Sequence, residues 1–131
     1  MEEAYASSFA VFREGTVMWD ATTQTALSAI QGLSMRSSAR AHNIANAETP
    51  GFRASHVDFE SSLRDAVQRG DPTSMDAQTT PSPTVVGPNG NSVDLETEMI
   101  GALRDGVHRQ MMFEAFNFKA AQIRVSVGGR R

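Results

Sequence analysis

The chain has 131 residues, of which 40% are hydrophobic and 7% aromatic, and its formal net charge is −3. This length allows one domain of roughly 100 to 150 residues, and the balanced charge argues against a nucleic-acid-binding protein, which needs a concentrated basic surface. The absence of cysteine excludes disulfide scaffolds, thiol catalysis and thiolate metal sites, and no stretch approaches the roughly 20 apolar residues that span a bilayer.

Residues 1–21 are predicted to form an N-terminal extension. Tyr5, Phe9 and Phe12 recur at i, i+4 and i+7, which predicts a short amphipathic helix that ends near Gly15; the alternative is a mobile tail. The first residues are acidic and no long apolar run follows them. We therefore expect no cleaved secretory signal peptide.

A first long helix is predicted from residue 22 to residue 47, inside a core segment that comprises residues 22–49. No proline interrupts this stretch, and its apolar residues recur at spacings of three and four. They are Leu27, Ile30, Leu33, Ala41, Ile44 and Ala45. Arg36, Arg40 and Asn43 are expected on the opposite side of the helix.

The middle segment, residues 50–92, begins with Pro50, which stops the first helix, and Gly51, which permits a sharp turn. A second, short helix that ends at Gly70 is predicted from the pattern of Val57 or Phe59, Leu63, Ala66 and Val67. Residues 70–92 are rich in proline and glycine, which predicts an irregular loop or linker. Within it we expect a brief strand at residues 84–86 and a turn at residues 87–90.

A last long helix is predicted from Leu95 to Val125, within a second core segment, residues 93–127, followed by a tail, residues 128–131. Asp94 is placed to cap it, and Glu96 and Glu98 lie where the helix dipole favours acids. Its apolar residues cover close to half of its circumference: Leu95, Met99, Ala102, Leu103, Gly106, Val107, Met111, Phe113, Phe118, Ala120 and Ala121. A basic group is expected to complement its negative end: Lys119, Arg124, Arg130 and Arg131.

The predicted fold is mainly α, with the two long helices paired in a coiled-coil-like hairpin as one discontinuous core. A two-helix hairpin has no interior of its own to offset the entropy of ordering the chain, yet the last helix has apolar surface to spare. We infer that other chains cover this surface; the alternative is a small self-contained bundle. The residues predicted to pack in helix layers are Leu27, Ile30, Leu33, Val93, Leu95, Met99, Leu103, Val107, Met111, Phe113 and Phe118.

Catalytic and metal-binding patterns are weak throughout the chain. His42, His56 and His108 do not share the spacing of a helical metal site, and no nucleophile elbow or phosphate-binding loop is present in the sequence. The sequence therefore predicts no catalytic residue, no cofactor, no metal and no small-molecule substrate.

Two motifs resemble those of a known family. The stretch from Ala41 to Arg53 is similar to the signature of bacterial flagellar rod, hook and related axial proteins, with Phe52 in place of a common tyrosine. The stretch from Gly90 to Met99 looks like the start of the C-terminal helix of a proximal rod protein. The motif residues are Asn43, Ile44, Ala45, Asn46, Ala47, Thr49, Pro50, Gly51 and Phe52 in the first stretch, and Gly90, Asn91, Val93, Asp94, Glu96, Glu98 and Met99 in the second.

The resemblance implies a structural subunit of the proximal rod, which transmits torque from the rotor ring to the hook. It implies a place in the periplasmic rod of the basal body, after export by the flagellar type III apparatus without a cleaved signal peptide. The implied partners are copies of this chain, other rod proteins, a rod-base adaptor, and the rotor ring or export gate. The alternative from another class is a soluble helical adaptor or export chaperone that binds an amphipathic partner helix.

Overall fold

The computed structural model describes residues 20–129, and it is mainly helical. The elements in chain order are α1 (Ala21–Ala45), β1 (Ser55–Asp58), α2 (Glu60–Gln68), a single 3-10 turn (Pro72–Ser74), β2 (Gln78–Pro81) and α3 (Leu95–Gly128). The prediction of two long helices and one short helix is confirmed. The helix predicted around Phe9 lies outside the described residues.

Side-chain caps begin both long helices. The carboxylate of Asp20 accepts a hydrogen bond from the backbone N–H of Thr23 at 2.8 Å, and that of Asp94 accepts one from the N–H of Thr97 at 3.2 Å. These bonds satisfy N–H groups that have no partner within the helix, and they hold the pKa of both carboxyl groups below its usual value. The predicted role of Asp94 is thereby confirmed.

The helix α1 ends at Ala45, two residues before the predicted end. The side-chain amide of Asn46 donates a hydrogen bond to the carbonyl of His42 at 2.9 Å, which also accepts the backbone N–H of Asn46 at 3.2 Å, so that both groups of Asn46 cap the end of the helix. The chain then turns at Gly51, whose φ of +74° is in the left-handed region that favours glycine.

The middle segment folds back on α1 instead of forming a free linker. Its strands β1 and β2 pair antiparallel, with Ser55 opposite Pro81. The strand predicted at residues 84–86 is wrong: the strand lies earlier in the chain, and Val85 is 90% exposed. The predicted turn at residues 87–90 is confirmed, because the N–H of Gly90 donates to the carbonyl of Gly87 at 2.9 Å.

A small apolar core lies between α1 and the middle segment. Its buried hydrophobic residues are Leu33, Ala54, Val57, Phe59 and Ala66. The ring of Phe59 lies directly on Gly32, where a Cβ atom would come within 2.3 Å of the ring. Glycine is therefore the only residue type at position 32 that lets the middle segment approach α1 this closely.

The helices α1 and α3 run antiparallel in contact with each other. Arg40 on α1 pairs with Glu98 near the start of α3, and Asp20, which precedes α1, pairs with Lys119 at 3.2 Å. The prediction that Lys119 complements the end of α3 is wrong. This side chain lies more than two turns before Gly128, and it pairs with Asp20 at the start of α1. Among residues 20–129, none of the helices combines the length and the hydropathy that a membrane span requires.

Candidate assembly site

A single buried amide joins the two sequence motifs. The side-chain nitrogen of Asn91 donates to the carbonyls of Asn46, Ala47 and Thr49 at 2.9, 3.0 and 2.7 Å. Its side-chain oxygen accepts from the N–H of Val93 at 2.7 Å. Asn91 is only 6% exposed, so it stabilises the end of α1 and the approach to α3 without solvent competition.

The two turns next to this amide pack back to back. The N–H of Gly51 donates to the carbonyl of Asn89 at 2.9 Å, and the N–H of Ser92 donates to the carbonyl of Phe52 at 3.0 Å. Both Gly51 and Gly90 have positive φ, and a Cβ on Gly90 would lie 3.2 Å from the Cα of Gly51. The left-handed backbone therefore favours glycine in both motifs, and the close approach adds a second reason at Gly90.

Asn43 is fully buried and connects three elements. Its amide nitrogen donates to the carbonyl of Ser55 at 2.8 Å and to the carboxylate of Glu98 at 2.9 Å. Its amide oxygen accepts from the N–H of Ser55 at 3.0 Å. One side chain therefore fixes the positions of α1, β1 and α3 relative to one another.

A network of charged side chains continues from Asn43 along the contact between α1 and α3. Arg40 donates to Glu98 at 3.0 Å and to Asp105 at 2.8 Å. Arg36 also binds Asp105, at 2.9 Å, and reaches Glu60 at the start of α2. We call Arg36, Arg40, Asn43, Glu98 and Asp105 the polar layer. The prediction that Arg36, Arg40 and Asn43 lie on the side opposite the buried stripe is wrong, because all three face α3.

Close helix contact is needed for the polar layer to form. A Cβ on Gly101 would lie 2.3 Å from the guanidinium carbon of Arg40, so the absence of a side chain there makes room for the charged group. The side chain of Asp105 is only 4% exposed, and that of Arg36 11%. In such surroundings the bonds of the polar layer are weakly screened by solvent and salt.

The electrostatics of Arg36 and Glu60 agree with a mutual ion pair. Burial alone would lower the pKa of Arg36, but its bonds to Glu60 and Asp105 outweigh burial and raise this pKa. Burial would likewise raise the pKa of Glu60, and the bond from Arg36 together with backbone N–H donors brings it below its usual value. Each group therefore favours the charged form of the other.

The side of α3 that faces away from α1 is apolar and exposed. Leu103, Val107, Met111, Phe118 and Val125 follow one another at spacings of four and seven, so they lie on one side of the helix. We call these five residues the outer stripe. Their exposed fractions range from 55% to 76%. Between Glu98 and Asp105, the face of α3 toward α1 is thus polar, while the outer stripe faces solvent.

The structure brings together some of the residues predicted from the sequence and separates others. Asn43, Asn46, Ala47, Thr49, Gly51, Phe52, Gly90, Asn91 and Glu98 meet around the junction of α1 and α3. By contrast, Ala45, Pro50, Glu96 and Met99 are exposed, and Ile44 and Val93 are half-buried. Among the residues predicted to pack in helix layers, Leu33 is buried and Leu27 and Ile30 are half-buried, while Leu95 and Phe113 are 43% and 45% exposed.

Sequence reasoning missed Arg36, Arg40 and Asp105 as partners, and it treated Glu98 only as an acid of the first helical turn. A signal for the polar layer is present in the sequence. Arg36, Arg40 and Asn43 recur at i, i+4 and i+7, and Glu98 and Asp105 recur at i and i+7. Two stripes of opposite charge on two long helices favour an interhelical ion network.

Within residues 20–129, no group of three or more His, Asp or Glu side chains is placed to hold a metal ion. The ring of His42 instead contacts the ring of Phe52 edge-on, with 5.4 Å between the ring centroids. The chemistry of this region is therefore that of a helix junction with an exposed apolar stripe beside it.

Comparison with known proteins agrees with the motif resemblance. No family model matches the chain. The chain is 30% identical over 119 residues to the flagellar basal body rod protein FlgB of Escherichia coli K12, and equally to that of Shigella flexneri, and the match covers 75% of this chain and 86% of each relative. The chain therefore belongs to the FlgB family of flagellar basal body rod proteins.

Proposed function

We propose that this chain is a structural subunit of the proximal rod and that its copies pack side by side around the rod axis. The shaft so formed passes torque from the rotor ring to the hook. The subunit acts in the periplasmic part of the basal body and is exported by the flagellar apparatus. Its partners are copies of itself, other rod proteins, a rod-base adaptor, and the rotor ring or export gate. No catalysis is involved.

The outer stripe is the observation that carries this proposal. Soluble monomers rarely expose five large apolar side chains along one side of a helix without a partner for them. Burying each of these side chains contributes about 1.5 to 3 kcal/mol, so five of them per subunit supply a strong lateral contact. Neighbouring subunits that cover the stripe convert exposed surface into the interior of a rod.

The polar layer has a complementary role in this proposal. Its charged groups all find their ion-pair partners in only one register of α1 against α3, because Arg36 and Arg40 must both reach Asp105. A subunit held in one register transmits force as a stiff unit. We therefore propose that residues 22–49 and 93–127 act as one coiled-coil-like core, with residues 50–92 as the middle segment, residues 1–21 as an extension and residues 128–131 as a tail.

The outer stripe is also compatible with a second function. A helical adaptor or export chaperone would use the same stripe to bind an amphipathic partner helix. Such a protein remains in the cytoplasm in a small defined complex, whereas a rod subunit becomes part of a large detergent-resistant assembly.

Cell fractionation separates the two functions. The tagged full-length chain, expressed from its own locus in the bacterium of origin, is expected to copurify with basal bodies after detergent extraction. Deleting its gene is expected to abolish motility and the rod together. A chain found only in the soluble cytoplasmic fraction, in cells that have complete rods, would contradict the proposal and support the adaptor.

A further inference from the structure

The turn that leads into Asn91 contains an asparagine directly before a glycine. Of the five asparagines in the chain, Asn89 is the one that glycine follows, and its side chain is exposed. Glycine has no side chain, so its backbone nitrogen can approach the preceding side chain without steric hindrance. The nitrogen of Gly90 is therefore a potential nucleophile toward the amide carbon of Asn89.

We propose that Asn89 is a site of spontaneous deamidation and that the closed junction of α1 and α3 protects it. In this reaction the nitrogen of Gly90 forms a bond to Cγ of Asn89, and its proton leaves with the side-chain nitrogen as ammonia. The product is a succinimide ring, which one water molecule then opens. Breaking the new bond to Cγ gives aspartate, whereas breaking the original peptide bond to the main-chain carbonyl carbon gives isoaspartate.

The folded turn holds Asn89 away from ring closure. The N–H of Gly90 donates to the carbonyl of Gly87 at 2.9 Å, and the φ of Asn89 is negative. A turn with this bond and a negative φ at its third residue is of type I, in which ψ at that residue is about 0°. Ring closure requires the nitrogen of Gly90 to eclipse Cβ of Asn89, but at this ψ it eclipses the backbone nitrogen of Asn89 instead.

The junction keeps this turn in place. The side-chain oxygen of Asn89 accepts from the N–H of Asn91 at 3.1 Å, and its carbonyl accepts from the N–H of Gly51 at 2.9 Å. Asn91 is in turn bound to the end of α1 through its amide. Deamidation therefore requires local opening of the junction, and its rate follows the fraction of chains that are open.

Isoaspartate at position 89 is expected to prevent the junction from closing again. The main chain then runs through Cβ and Cγ of residue 89, which lengthens it before Gly90. The oxygen that binds Asn91 becomes part of the main chain, and the carbonyl that binds Gly51 becomes a free carboxylate. Little space is left for the longer chain, because a Cβ on Gly90 would already lie 3.2 Å from the Cα of Gly51. The inference does not depend on the proposed rod function.

Peptide mass spectrometry of the full-length chain, incubated at neutral pH in buffer and in denaturing urea, tests the protection. Asn117, which is exposed and precedes Phe118, is the internal control. Asn89 is expected to deamidate at least about tenfold faster in urea than in buffer, and faster than Asn117 in urea. The variant Asn91→Ala opens the junction, so its Asn89 should react in buffer nearly as fast as in urea. In urea the variant and the natural chain should react equally.

Either of two results would overturn the protected site. Equal rates at Asn89 in buffer and in urea would show that the junction gives no protection. Equal rates at Asn89 and Asn117 in urea would show that Asn89 is not a preferred site.

The expected effect of isoaspartate has its own test, with Asn89→Asp as the matched control. This variant carries the same new charge but keeps the normal main chain and both acceptor oxygens. The isoaspartate form, purified after incubation in urea and returned to buffer, is expected to lose the protection of the N–H groups of Gly51 and Ser92 in hydrogen exchange, whereas Asn89→Asp keeps it. Equal protection in both would show that the junction tolerates the longer chain, and would contradict this part of the inference.

Discussion

Replacing Asp105 with alanine is expected to lower the free energy of unfolding by about 3 kcal/mol, because it leaves two largely buried guanidinium groups without their shared carboxylate. The side chains of Arg36 and Arg40 are only 11% and 18% exposed, so water replaces the lost partner poorly. Each arginine retains one other carboxylate, Glu60 or Glu98, which keeps the effect near the lower end for a broken buried ion pair. Urea unfolding of the purified full-length chain, followed by circular dichroism, measures it.

The chain offers a matched control on the same helix. Glu114 is exposed and forms one hydrogen bond with the nearby Gln110 at 3.1 Å, so Glu114→Ala is expected to change the free energy of unfolding by at most about 0.5 kcal/mol. If Asp105→Ala and Glu114→Ala had equal unfolding midpoints, the polar layer would not stabilise the contact between α1 and α3.

Replacing Leu103 with aspartate is expected to abolish rod assembly and motility while the subunit folds normally. Leu103 is 74% exposed in the single chain, so a charge there remains solvated and changes the free energy of unfolding by no more than about 0.5 kcal/mol. In an assembled rod, the same charge is buried without a partner at a cost of several kcal/mol. Swimming assays and electron microscopy of basal bodies measure the assembly, and circular dichroism measures the fold.

Val85→Asp is the control for this substitution. Val85 is even more exposed, at 90%, and lies in the loop after β2, which is not part of the outer stripe. We expect this variant to swim normally. Normal motility of Leu103→Asp would instead show that the outer stripe takes no part in the contacts between subunits.

Local signals in the sequence were sufficient to predict the two long helices and the short one, with ends within three residues of those observed. The Asp94 cap, the proline after α1 and the long apolar periodicities each act within a few residues, so a single sequence carries them. The pairing of β1 with β2 was not predicted. Strand β1 has only four residues, and one of them, Val57, is buried, so its alternation is too short to recognise without its distant partner.

The larger error concerned one face of α1, where Arg36, Arg40 and Asn43 were expected on the side opposite the buried stripe. Reasoning from hydrophobicity places apolar residues inside and charged residues outside. In this chain Arg36 and Arg40 instead face α3 and bind Asp105, whereas the exposure of Leu103 and Phe118 agrees with the spare apolar surface expected of the last helix. Periodicity identifies the faces of a helix but not the direction in which each one points. When subunits complete one another, the most apolar face can be the outer face of the single chain.

The most direct test is the maleimide reactivity of a cysteine at position 103, measured in the variant Leu103→Cys. Labelling is compared between the purified free subunit and intact purified basal bodies, each normalised to labelling after denaturation. The structure and the proposed function together predict rapid labelling of the free subunit and strong protection in the basal body. Equal, rapid labelling in both samples would show that the outer stripe faces solvent in the rod as well, and would contradict its proposed role in assembly.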